Sequence, residues 1–113
     1  MQIQVHTDKN IEGGERLADY VKIAVNAKLS RFSSQITRVE AHLSDENGHK
    51  SHGDDKKCVM EARPSGHQPI AVTHIAPTLD QAISGATEKL ERVLESTFSK
   101  LNDNRAVPPP KVE

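Results

Sequence analysis

The strongest constraint on the fold is a long helical pattern near the C-terminus, which begins just after Pro77-Thr78. Apolar residues then recur three or four positions apart for about six turns, the spacing of one face of an α-helix. Thr78 and Gln81 stand where a capping box places them, so the helix is expected to begin after Thr78. The apolar stripe comprises Leu79, Ala82, Ile83, Ala86, Leu90, Val93, Leu94, Phe98 and Leu101.

Shorter patterns precede this helix in a definite order. Alternation of apolar and polar residues predicts strands over residues 3–7, 39–43 and 58–62. Helical spacing between Glu15 and Phe32 separates the first strand from the second, and Ser33-Ser34 ends it. Residues 70–75 read as a fourth strand whose buried face the pattern does not identify, although His74 must share a face with Ile70 and Val72.

Composition limits how these elements can pack. Hydrophobic residues make up 35% of the 113 residues and aromatic residues only 3%, so the core must be built from Val, Ile, Leu and Ala. That supply suits a sheet covered on one face. The sequence therefore predicts an α+β fold, a β-α-β-β-β-α two-layer sandwich with both helices on one face of a four-stranded mixed sheet. The first two strands are expected to be parallel with a right-handed crossover, and the next two to continue as a meander.

The predicted domain spans residues 1–102, and residues 103–113, which contain Pro108-Pro109-Pro110, are predicted to be a disordered tail. Cys58 is the single cysteine, so an intramolecular disulfide is impossible and a reducing compartment fits. No apolar run approaches the length of a membrane span. The alternating N-terminal residues do not resemble a signal peptide. We therefore expect a cytoplasmic protein without a membrane partner.

Charge and motifs exclude some function classes. The 15 Lys and Arg are balanced by 16 Asp and Glu, for a net charge of −1, whereas nucleic-acid binders often carry a positive excess. Cys58 alternates with apolar positions and lacks a positioned base, so it is expected to be a small buried residue rather than a nucleophile. Gly13-Gly14 precedes a helix without the rest of any nucleotide fingerprint. We expect no catalysis, no cofactor and no small-molecule substrate.

Several short sequence segments, taken together in their order and spacing, are more specific for a protein family than any single segment. They are Lys9-Asn10-Ile11-Glu12, Ala27-Lys28-Leu29 with Arg31-Phe32, Leu43-Ser44-Asp45-Glu46-Asn47-Gly48 with Asp55-Lys56-Lys57-Cys58, and Ala82-Ile83 with Lys89-Leu90-Glu91-Arg92. Over about residues 1–101 the chain resembles the ribosome hibernation-promoting factor and ribosome-associated inhibitor family, in a short, sigma-54 modulation protein-like form. The resemblance implies a protein that sits on the small ribosomal subunit and blocks the mRNA and tRNA channel under stress, without catalysis or a cofactor. We expect the protein to be a monomer.

Basic residues on the two helices are the candidates for contact with ribosomal RNA. The resemblance carries over Lys28 and Arg31 on the first helix and Lys89 and Arg92 on the last. Folded RNA offers phosphates and ribose hydroxyls that are read largely by shape. Two alternatives stay open: neighbouring glutamates could pair with the helix cations, and lysines at a strand end could serve only to discourage aggregation. The full candidate set is Lys22, Lys28, Arg31, Lys56, Lys57, Lys89, Arg92 and Lys100, and the glutamates are Glu88, Glu91 and Glu95.

The histidines raise the question of a metal site. His49 and His52 share a segment with several aspartates, but zinc needs three or four rigidly held ligands and this segment is rich in glycine. The aspartates are Asp45, Asp54 and Asp55. His6 and His42 are interpreted as ordinary surface histidines on neighbouring strands, so we predict no metal site.

A second function class also stays open. Because the net charge is near zero, the open sheet face could instead serve a protein–protein interaction module that does not bind RNA.

Overall fold

The computed structural model describes residues 1–8, 11, 14–45 and 56–106, with side-chain positions as far as residue 100. The predicted order of elements is confirmed: β1 (Gln2–Thr7), α1 (Gly14–Leu29), β2 (Ile36–Asp45), β3 (Lys56–Pro64), β4 (Ile70–Ala76) and α2 (Leu79–Ala106). Residues 46–55, which include His49 and His52, and residues 107–113 of the predicted tail lie outside the described residues. The domain boundary at residue 102 stays a prediction. Within the described residues no helix is long and apolar enough to cross a bilayer.

The four strands form one mixed sheet in the order β1-β2-β3-β4. β1 pairs with β2 in parallel, with Ile3 opposite Val39 and His6 opposite His42. β3 pairs antiparallel with both β2 and β4, which is the predicted meander. The first pair is parallel because β1 and β2 are joined through α1, which returns the chain to the same end of the sheet.

The core lies between the sheet and the two helices. Alternate residues of β2 and β3 are almost completely buried on the helix side, and the helices close over them with their predicted apolar stripes. The opposite sheet face carries polar and charged residues such as Glu40 and Arg63. The sheet positions buried at the centre are Val39, Ala41, Leu43, Cys58, Met60 and Ala62, and the helix positions include Val21, Val25, Leu29, Ile83, Leu90 and Leu94.

The end of α1 corrects the sequence interpretation, which put Arg31 on the first helix. The α-helix ends at Leu29, and Ser30–Phe32 form a 3-10 turn in which Arg31 lies. The backbone of Leu29 is already outside helical geometry, with φ −112° and ψ 2°. Because Phe32 follows Leu29 by three residues, the apolar spacing fits a three-residue turn as well as an α-helix, and the sequence pattern could not distinguish them.

The start of α2 matches the predicted cap. The backbone N–H of Gln81 donates to Thr78 Oγ1 at 3.2 Å, and the N–H of Ala82 donates to the Thr78 carbonyl at 2.9 Å. The first bond satisfies one of the amide groups that a helix leaves free at its N-terminus, and the second is the first regular backbone bond of the helix. Thr78 therefore fixes where the helix that carries Lys89, Arg92 and Lys100 begins.

The buried face of β4, which the pattern left open, is the one that carries Ile70, Val72 and His74. A Cβ at position 85 of α2 would overlap the His74 imidazole ring, so glycine lets the helix pack directly on that ring. We expect Gly85→Ala to destabilise the wild-type protein by about 1 kcal/mol, because overpacking outweighs the gain in helix propensity. In a His74→Ala background the same change should stabilise the protein by roughly 0.5–1 kcal/mol.

Urea unfolding of the four proteins in this double-mutant cycle measures the effect. Stabilisation by Gly85→Ala in both backgrounds to the same extent would contradict the close packing of Gly85 on His74.

Candidate nucleic-acid interface

The two helices lie side by side on the sheet and meet along a shallow groove. Near the C-terminal end of α1, the rings of Phe32 and Phe98 pack with their centroids 5.3 Å apart. Further along lies a cavity of about 190 Å³ that Lys28 lines from α1 and Glu88 from α2, with Ala24, Ala27, Ser84 and Thr87. The outer surface of this helix layer is where the predicted helix cations emerge.

Arg31 is held across the groove by two glutamates of α2. One of its guanidinium nitrogens, Nη2, lies 3.2 Å from Glu91 Oε2 and 3.6 Å from Glu95 Oε1. The guanidinium also stacks on Phe32, 4.4 Å from the ring centroid. Arg31 therefore pairs with neighbouring glutamates, which was one of the two alternatives left open by the sequence. Since half of its side chain is exposed and exposed ion pairs contribute only about 0–1 kcal/mol, these contacts do not prevent a phosphate from competing for the cation.

Lys89 extends away from the groove, towards the outer strand. Its Nζ donates to the backbone carbonyl of Thr73 on β4 at 2.8 Å. The Glu91 contact with Arg31 is on the other flank of α2, so Lys89 and Glu91 mark opposite sides of this helix. The candidates Lys28 and Lys89 therefore do not form one compact patch.

Four of the candidate helix cations are exposed and have no hydrogen-bond or ion-pair partner within the described residues: Lys22, Lys28, Arg92 and Lys100. Lys22 and Lys28 are six residues apart, which puts them roughly 120° apart around α1. Lys100 lies about three turns beyond Lys89 on nearly the same side of α2. These cations are thus spread over the helix layer and do not form a single phosphate pocket.

Lys56 and Lys57, the two candidates at the start of β3, lie on opposite faces of the sheet. Lys56 is opposite Asp45 in the β2–β3 ladder, and its Nζ lies 3.5 Å from Asp45 Oδ2. Lys57 points to the open face, where it lines a cavity of about 290 Å³ together with His6 and His42. The split follows from the two-residue period of a strand. Neither lysine lies on the outer surface of the helix layer.

One cluster on the open face was missed as a cluster by the sequence interpretation. The Nε2 atoms of His6 and His42 lie 3.5 and 3.4 Å from the same oxygen, Glu40 Oε1. The two imidazole rings stack, with centroids 4.6 Å apart and planes 15° apart. The sequence does show that all three residues lie on the polar face of β1 and β2. It does not show the parallel register that brings them together, because that register depends on tertiary structure.

Cys58 is fully buried, as the alternation predicted. Burial without a compensating charge raises the pKa of its thiol from 9.0 to about 12. The thiolate, which is the nucleophilic form, is therefore scarce at neutral pH. Cys58 contributes packing to the core and does not offer reactive sulfur.

The protein is a small two-layer β-α-β-β-β-α domain, and basic side chains are spread over its helix layer. The family model described as sigma 54 modulation protein / S30EA ribosomal protein matches residues 3–102. The chain therefore belongs to that family, as the resemblance implied.

Solved structures share the fold. The Protein Y N-terminal domain from Thermus thermophilus superposes with a TM-score of 0.69 at 21% identity, over 86% of this chain and 99% of that one. A ribosomal subunit interface protein from Coxiella burnetii superposes with a TM-score of 0.72 at 12% identity, over 88% of this chain and 99% of that one. No curated protein matches the chain.

Proposed function

We propose that this protein binds the small ribosomal subunit, in the channel used by mRNA and tRNA, and blocks translation in stressed cells. The observation that carries the proposal is the family match, which spans residues 3–102 and so nearly all of the described fold. The name of the similar Coxiella burnetii protein points to the same site of action, a ribosomal subunit interface. The protein would act in the cytoplasm as a monomer, by occupying space rather than by catalysis.

The helix layer supplies a physical means of holding ribosomal RNA. Lys22, Lys28, Arg92 and Lys100 are exposed and available to phosphates. Arg31 and Lys89 can exchange their present surface contacts for phosphate oxygens at little cost, because those contacts are exposed. Charge-assisted bonds to phosphate are stronger than bonds between neutral groups, so a few well-placed cations suffice even at a net charge of −1.

Acidic neighbours restrict how the protein can approach RNA. Glu88, Glu91 and Glu95 lie on the flank of α2 that faces α1, whereas Lys89 reaches towards β4 on the other side. Arg92 follows Glu88 by four residues, so it lies between that flank and Lys89. A phosphate that approached Arg31 directly would meet Glu91 and Glu95. We therefore assign the main contacts to Lys28, Arg92 and Lys100, with Arg31 contributing only where RNA displaces its glutamates.

Co-sedimentation with purified small subunits across a salt series tests the proposal. We expect the protein to move with the subunits at low salt and to leave them as salt rises, with a log–log slope of about −3 to −4 for about four neutralised phosphates. Large subunits provide the matched control and should carry less protein. Protein that stays at the top of the gradient at low salt, while small subunits sediment normally, would contradict ribosome binding.

A second candidate, a protein–protein interaction module, has one observation in its favour. Ile75 on β4 is 45% exposed and lies on the open sheet face, where it is opposite Lys57 in the β3–β4 ladder. A partner on this face would bury Ile75 without touching the helix layer. Substitution of Ile75 by Ser should therefore weaken such binding and leave small-subunit binding unchanged.

A further inference from the structure

The open sheet face brings together three side chains of the types that bind transition metals. His6 comes from β1, and Glu40 and His42 come from β2. Their ligand atoms all lie within 4.8 Å of one another, and Glu40 Oε1 lies 3.5 and 3.4 Å from the two histidine Nε2 atoms. This cluster lies opposite the helix layer and plays no part in the proposed contacts with RNA.

The backbone itself sets this arrangement. His6 and His42 are direct partners in the parallel β1–β2 ladder, and Glu40 shares their face because it precedes His42 by two residues on the same strand. Strands within a four-stranded sheet are a firmer support for ligands than a loop would be.

The spacing of the three donor atoms suits a small divalent ion. Ligands of tetrahedral zinc lie roughly 3.4 Å apart when the metal–ligand bonds are about 2.1 Å, close to the two nitrogen–oxygen distances here. In the present stack the two rings are nearly parallel. Metal binding requires them to turn until their lone pairs converge, and half-exposed side chains of His6 and His42 have room to do so.

Arg38 contacts the second carboxylate oxygen of Glu40, the one that does not face the histidines. Its Nε lies 2.9 Å from Glu40 Oε2, an ion-pair contact in which the N–H is not directed at an acceptor. The contact leaves Oε1 facing the histidines, the orienting effect that outer partners exert on metal ligands. The charge of Arg38 also opposes a second cation, so the affinity should be lower than that of a closed four-ligand zinc site.

We propose that His6, Glu40 and His42 bind one divalent transition-metal ion of the zinc class on the open sheet face. Two imidazoles and one carboxylate are ligands that zinc, nickel and copper accept and that magnesium does not favour. Solvent supplies the fourth position, since both histidines are about half exposed. The site goes beyond the proposed ribosome binding and does not depend on it.

Calorimetric titration of the untagged full chain with Zn²⁺ and with Ni²⁺ tests the site. One ion should bind per chain, and Mg²⁺ should give no heat. His6→Gln, His42→Gln and Glu40→Gln should each lower the Zn²⁺ affinity by about tenfold or more. The matched control is the double variant His49→Gln/His52→Gln, which should bind Zn²⁺ as the wild type does.

Two results would overturn the site: no heat of binding in the wild type, or loss of binding in the control while the His6 and His42 variants still bind. Histidine proton resonances of the unaltered chain give a reading that does not rely on variants. Zn²⁺ should shift the ring signals of His6 and His42. Shifts confined to His49, His52, His67 or His74 would also refute the assignment.

Discussion

The double charge reversal Lys28→Glu/Arg92→Glu should lower the affinity for small ribosomal subunits by at least about tenfold at low salt. Each residue is exposed and has no partner within the described residues, so its reversal breaks no ion pair in the free protein. Charge-assisted hydrogen bonds contribute roughly 1.5–3 kcal/mol each, and a glutamate at the same place repels the phosphate. The slope of the salt dependence should become shallower by about two, one for each lost phosphate contact.

A control with the same net charge makes this result specific. Arg16→Glu/Arg63→Glu also reverses two exposed cations, but neither belongs to the candidate set. Both double variants change the net charge by four units, from −1 to −5. We expect the control to change the affinity less than about threefold. Because Arg16 lies at the start of α1 and Arg63 on the open sheet face, equal losses in both variants would mean that overall charge, and not the candidate cations, governs binding. Unchanged binding in both would favour a protein partner on the open face.

Raising the pH should destabilise the wild-type protein through Cys58. Its pKa is raised by burial from 9.0 to about 12, so above pH 9 the unfolded chain loses the thiol proton while the folded protein keeps it. The unfolded state then binds fewer protons, and the free energy of unfolding falls with pH. The loss attributable to Cys58 should be about 1.4 kcal/mol per pH unit between about pH 9 and pH 12, and none should appear below pH 8.

Urea unfolding of the wild type and of Cys58→Ala between pH 8 and 10.5, under reducing conditions, isolates this effect. Other titrating groups are common to both proteins, so the difference between their unfolding free energies should narrow as pH rises above 9. A constant difference over this range would contradict the shifted pKa. Rapid labelling of the native thiol by a disulfide reagent at pH 8 would contradict its burial.

The fold could be predicted because its signals are local. The helical stripe of α2 and the alternation in β2 and β3 each report which residues face the core, without reference to the rest of the chain. β4 was ambiguous because it has apolar residues on both faces, Val72 towards the helices and Ile75 towards solvent. Its buried face depended on α2, where Gly85 leaves room for His74. The end of α1 was ambiguous because the spacing of Leu29 and Phe32 suits two kinds of turn.

The candidate site was less predictable, for a physical reason. Exposure of the helix cations follows from helical phase, and the sequence predicted it. The contacts that these cations make could not be predicted from helical phase. Glu91, which binds Arg31, is 60 positions away in sequence, and the carbonyl that binds Lys89 is 16 positions away. The cluster of His6, Glu40 and His42 likewise depends on the register of two parallel strands. Polar residues with long-range partners have no periodic signature.

The contact between Lys89 and Thr73 also protects the edge of the sheet from aggregation. β4 is an outer strand, and an outer strand offers a row of backbone groups on which a second chain could add as a further strand. The ammonium group of Lys89 occupies one carbonyl of that row and places a positive charge at this edge of the sheet. A substitution at Lys89 would remove both the hydrogen bond that covers the Thr73 carbonyl and a candidate RNA-binding cation. Its effect on ribosomes would be mixed with aggregation, which makes Lys28 and Arg92 the better probes of RNA contact.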